Sequence, residues 1–147
     1  MTESRDEQAY EVVWLIRRLF RTMAQVADDY LEESGLSAAD RAVMEFLYPD
    51  ARLSVPEIAA RYDVSRQHVQ VTVNGLLKKD LVLSEPNPRH KRSALMTLSD
   101  AGRDTFEEIR RGESRLIALL FSNIRDDGLD TTRRTLASIH DRLNLER

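Results

Sequence analysis

The chain has 147 residues, 41% apolar and 32% charged, and a net charge of −3, which suits one domain over 1–147 with a real core. It has no cysteine, which excludes disulfides, thiolate metal sites and thiol redox sensing. No apolar run approaches the roughly 18 residues of a membrane span, and the opening Met1-Thr-Glu-Ser-Arg-Asp-Glu is too polar for a signal peptide; a cytoplasmic protein with no membrane partner is expected.

Residues 8–32 predict one long helix. Val12, Leu15, Leu19, Met23, Val26 and Tyr30 recur at three- and four-residue steps, joined by Ile16, Phe20 and Ala27. Trp14 lies off this stripe. The face is wide for a lone surface helix, so it serves either an intrachain core or, as we favour, an interface between two chains. Gly35 is placed to end the helix. Ser37 is placed to cap the next, which runs through Val43, Met44, Phe46 and Leu47 and stops before Pro49.

A third helix opens at Ser54, whose spacing to Glu57 is that of a reciprocal capping box, with Pro56 in the first turn. It carries Ile58 and Ala59 toward a core and should stop near Arg61. Asp63 then falls where a left-handed turn residue is needed. Ser65 is placed to cap a fourth helix whose Val69, Val73, Leu76 and Leu77 form one buried stripe. Arg66, Gln67, His68, Gln70 and Asn74 are left for other faces. Gly75 costs this helix about 1 kcal/mol relative to alanine; a close neighbour would explain it.

Leu81–Glu85 and Ser93–Leu98 read as two strands joined by Pro86-Asn87-Pro88, which cannot continue a ladder. Arg89, Lys91 and Arg92 are therefore held at a loop tip. Ser99 is placed to cap another long helix, with Asp100 and Asp104 complementing its dipole and Phe106, Ile109, Leu116, Ile117, Leu120 and Ile124 on its apolar face. Gly112 is a weak point along it. Asp126-Asp127-Gly128 reads as a break, after which Asp130 starts a last helix carrying Leu136, Ile139 and Leu143.

Helix, tight turn, helix and basic-tipped hairpin are the parts of a winged helix-turn-helix, a DNA-reading module. Arginine can donate to guanine, and glutamine or asparagine can pair with adenine. A basic tip beside such a helix suits phosphates or a minor groove. The charge is distributed accordingly: residues 61–92 hold seven basic and three acidic side chains, a local +4, which leaves −7 on the rest of the chain. The expected fold is mainly α with a small antiparallel β-hairpin wing. Its expected DNA-binding part is 37–98, flanked by helices within 8–32 and 99–147.

In this order and with these residues the chain resembles the MarR family of bacterial transcription regulators. The family's wing usually carries Asp-Pro-Arg-Asp-Arg-Arg, followed by an apolar strand and Leu-Thr-x-x-Gly. Here the matching runs are Asn87-Pro88-Arg89-His90-Lys91-Arg92 and Ala94 through Thr97-Leu98-Ser99-Asp100-Ala101-Gly102. Val64-Ser65-Arg66-Gln67 also looks like the family's recognition-helix start. The departures are Asn87 for the usual aspartate, which would brace Arg89, Val71 where many members are polar or basic, and His68 for a common small residue. The resemblance implies a homodimeric repressor, with 8–32 and 99–147 as its dimerisation helices, on an inverted-repeat operator in double-stranded DNA. It also implies a small effector, often aromatic or anionic, held between the dimer helices and the reader. The expected DNA contacts are Ser65, Arg66, Gln67, His68 and Gln70 on the recognition helix and Arg89, Lys91 and Arg92 on the wing. No effector residues are assigned; Trp14, Phe46 and Tyr48 could line a cavity, though core packing is the simpler role for each.

Other classes find less support. His68, His90 and His140 have no metal-ligand spacing among them, and Asp28-Asp29 and Asp126-Asp127 are adjacent, so their carboxylates diverge. There is no nucleophile elbow, phosphate loop or dinucleotide fingerprint, so no enzyme activity, metal or cofactor is expected. The alternative reading is a winged-helix protein-docking or dimerisation scaffold that does not bind DNA; the basic wing argues against it.

Overall fold

The computed structural model describes residues 3–146. Its elements are α1 (Arg5–Glu32), α2 (Ala38–Leu47), β1 (Leu53–Ser54), α3 (Val55–Tyr62), α4 (Arg66–Lys78), β2 (Val82–Glu85), β3 (Leu95–Leu98), α5 (Asp100–Leu120) and α6 (Asp126–Leu145). This is the expected mainly α architecture with a small antiparallel sheet. The chain forms two compact units, Met1–Ile109 and Arg110–Arg147.

α1 begins three residues earlier than its apolar periodicity indicates. Ser4 and Glu7 make a full capping box: the Glu7 amide donates to Ser4 Oγ at 3.2 Å, and the Ser4 amide to Glu7 Oε2 at 2.7 Å. Hydrogen bonds from the Ser4 backbone, and then its side chain, hold the Glu7 carboxyl below its ordinary range. Leu31 is the buried residue of α1. The chain leaves the helix through Gly35 at φ 71°, where glycine carries no Cβ penalty. α2 starts with a second full box, Ser37 with Asp40.

The core of the first unit lies among α2, α3, α4, the sheet and the start of α5. Met44, Leu47, Ile58, Val69, Val73, Leu76 and Phe106 are all fully buried, each contributing about 1.5–3 kcal/mol by leaving water. Leu53, Val82, Met96 and Leu98 close it from the sheet side. The strands run β1-β3-β2, with Leu53 opposite Met96, Val82 opposite Leu98 and Glu85 opposite Leu95. β1 was not expected, because a two-residue strand shows no alternation to read. Its presence also changes the cap of α3. Ser54 Oγ accepts from the Glu57 amide at 3.3 Å but donates to Glu57 Oε1 at 3.1 Å. The reciprocal arm of the expected box is not made, as Ser54 ends β1 paired with Leu95.

In the second unit the break lies upstream of the expected Asp126-Asp127-Gly128. Turn residues run from Phe121 to Arg125, and α6 starts at Asp126 rather than Asp130. Asp126 and Asp127 sit in its first turn, where carboxylates favour the helix dipole. The Gly128 amide is satisfied locally by Asp127 Oδ1 at 2.9 Å.

Candidate nucleic-acid interface

α3 ends on Asp63 in the left-handed region, φ 57°, ψ 43°, which turns the chain sharply into α4. Ser65 caps α4 by accepting from the His68 amide at 3.1 Å. Val69, Thr72, Val73 and Leu76 are buried, which anchors one side of the helix and leaves Arg66, Gln67, Gln70 and Asn74 exposed. The far end is closed by a Schellman motif. The Leu81 amide reaches the Leu76 carbonyl at 3.1 Å and the Asp80 amide the Leu77 carbonyl at 3.1 Å, with Asp80 at φ 56°.

The wing is held at both ends. Its strands pair in register from Val82–Leu98 to Glu85–Leu95, and Arg52 ion-pairs with Glu85 at 3.1 Å. Inside the loop Asn87 Oδ1 accepts from the Arg89 amide at 3.0 Å. A neutral amide thus braces the backbone at this turn, where the family's aspartate stands.

Of the expected contact residues, Arg66, Gln67, Gln70 and Arg92 line one cleft of about 420 Å³, together with Pro56, Ser93 and Met96. Arg89 and Lys91 stand exposed farther out on the wing, outside that cleft. None of the four basic residues Arg66, Arg89, Lys91 and Arg92 forms an ion pair among the described residues. Their charge is therefore available to a partner. Lys79, by contrast, donates to the Gly35 carbonyl at 2.8 Å and approaches Asp40 at 3.8 Å; it is a tether, not a free cation. Ser65 and His68 lie outside the cleft. The His68 ring sits 6.4 Å from Tyr62, which in turn lies 5.8 Å from Phe46, so His68 leans toward the α3–α4 turn. Gln70 Nε2 donates to Asn74 Oδ1 at 2.9 Å, which orients both amides along α4. Pro56 and Ser93 were missed as cleft residues, because nothing in their type marks them.

Phe46 and Tyr48 pack against the core, with Tyr48 5.1 Å from Phe106. Trp14 does not: it is 49% exposed, with the Arg18 guanidinium 4.7 Å above its ring. Among the described residues no group of three or more His, Asp or Glu side chains is placed to hold a metal, and no helix is long and apolar enough to cross a membrane.

The family model described as MarR family matches residues 34–93, which takes in α2, α3, α4, β2 and the wing loop and stops short of β3. The chain is 25% identical over 125 residues to the HTH-type transcriptional repressor MdtR of Bacillus subtilis, covering 85% of this chain and 81% of that one. It is 32% identical over 98 residues to an uncharacterized protein of Mycobacterium tuberculosis, 67% of this chain and 68% of the other. Among solved structures, a MarR family transcription regulator superposes with a TM-score of 0.89 at 21% identity, covering 95% of this chain and 92% of that one. A fold shared over nearly the whole length, a family match across the reader and a relative at this identity lead to one conclusion: the chain belongs to the MarR family of winged-helix transcription regulators.

Proposed function

We propose that the chain acts as a homodimeric repressor in the cytoplasm, reading an inverted-repeat operator with residues 37–98 and pairing through residues 8–32 and 99–147. The observation that carries this reading is the convergence of Arg66, Gln67, Gln70 and Arg92 on one cleft, beside a wing whose cations have no acidic partner among the described residues. α4 enters the major groove, with Arg66, Gln67 and Gln70 at base edges. Ser65 and His68 at its start, and Arg89, Lys91 and Arg92 on the wing, meet phosphates or the minor groove. No step in this function requires catalysis or a cofactor. Staphylococcus aureus MarR has been crystallised with salicylate and kanamycin, and an Escherichia coli MarR cysteine mutant with operator DNA. The second supports operator binding by the winged reader; the first supports a small aromatic or anionic effector, which would shift this chain between two spacings of its reading helices by binding one spacing better than the other.

The test is selection from random duplexes at near-physiological salt, with the solution mass recorded alongside. An enriched inverted repeat bound by a dimer is expected. A folded protein with no salt-dependent binding overturns the proposal. On the selected duplex, Arg92→Ala, which removes one cation per half-site, should weaken binding to all sequences and lower the salt slope by about 2, whereas Gln67→Ala should relax preference at one base pair of each half-site by about 1–3 kcal/mol.

A further inference from the structure

Val71 stands on the face that α4 turns outward. With 100° between successive residues, the buried side chains Val69, Thr72, Val73 and Leu76 define one direction, and Val71 lies within about 30° of the opposite one. Its neighbours on that line are Gln67, four residues before it, Asn74, three after, and Lys78. Val71 is 67% exposed. Among the described residues of 37–98, the only other exposed large apolar side chain is Leu83, on β2. Nothing in helix stability calls for valine here: it is β-branched, forms helix less readily than alanine, and when exposed gains little from packing. Two methyl groups held stiffly between two amides make a surface for an apolar contact.

Resting on the DNA-binding reading above, we propose that Val71 is a specificity-determining residue that recognises the C5-methyl of a thymine in the major groove. That methyl is the apolar group a base pair presents there. Gln67 and Asn74, on either side, carry the amides that pair with adenine. Together the three side chains favour a step in which thymine lies next to adenine.

The experiment replaces each thymine of the selected operator, in turn, with deoxyuridine, which deletes the methyl and leaves base pairing intact. Dissociation constants are measured for the full-length wild type and for Val71→Ala, whose substitution lies on an exposed helical face and should leave the melting temperature unchanged or higher. One thymine per half-site is expected to be methyl-sensitive in the wild type, with binding about four-fold weaker per half-site on deoxyuridine. With Val71→Ala that difference should vanish. Equal wild-type binding to every deoxyuridine duplex overturns the proposal, as does a Val71→Ala protein that keeps the wild-type penalty. If the wild type binds no thymine duplex at all, DNA recognition itself fails, and this inference with it.

Discussion

Asp63 and Asp80 each close a helix at positive φ, 57° and 56°, where most L residues are strained and glycine is not. Asp80 also places a carboxylate at the negative end of the α4 dipole, and among the described residues its side chain has no partner. Asp80→Gly should therefore raise unfolding stability by up to about 1 kcal/mol, while Asp80→Ala, which keeps the strain, should not; urea denaturation of the two variants separates them. Gly75 offers a second gain of this kind. A close neighbour would have explained this helical glycine, yet a Cβ built there meets no atom within 4 Å. Gly75→Ala should stabilise the protein by about 1 kcal/mol, and an unchanged denaturation midpoint would count against the open space around it.

The Leu98-Ser99-Asp100-Ala101-Gly102 run works as a clasp between elements. Ser99 Oγ donates to the Asp80 carbonyl at 2.6 Å and accepts from the Gly102 amide at 2.9 Å. The Ser99 amide donates to the Leu81 carbonyl at 3.0 Å. A Cβ at Gly102 would collide with that same Leu81 carbonyl, which is backbone and cannot move aside. Gly102→Ala should thus cost about 1–3 kcal/mol, the reverse of Gly75→Ala, and parallel denaturation of the two alanine variants checks the contrast. The clasp was readable only as a motif, because its partner carbonyls belong to the α4–β2 junction. What could be read was periodic or local: the Val69, Val73, Leu76 stripe, the caps at Ser37, Ser65 and Ser99, and the turn at Asp63. β1 escaped because two residues carry no period. The α6 start escaped because Asp126-Asp127-Gly128 has the composition of a loop while serving as a first helical turn. The true break at 121–125 holds neither proline nor glycine. In the candidate site the residue types were readable, but the meeting of Arg66 with Arg92 in one cleft depends on the β2–β3 register.

α1 offers water a long apolar face, with Leu19 at 60% and Phe20 at 76% exposure. In the other unit Leu119 is 71% exposed, and α6 has no buried residue among those described. Faces of this extent mark an interaction surface, and in the proposed function a second copy covers them. The charge division fits that arrangement, with −7 outside residues 61–92 and +4 within them. Phe20→Asp places a carboxylate in the proposed interface without touching the core around Phe106. Its mass by sedimentation should fall to that of the 16.9 kDa monomer at concentrations where the wild type is a dimer, and the wild type's melting temperature should rise with protein concentration. Operator affinity should drop by about 100-fold or more, since the second reader no longer acts at high effective concentration. Binding to a single half-site should change far less, because Arg66, Gln67, Gln70 and Arg92 remain in place. A Phe20→Asp protein that stays dimeric and binds the full operator as the wild type does would remove α1 from the interface and leave residues 99–147 to pair the chains alone.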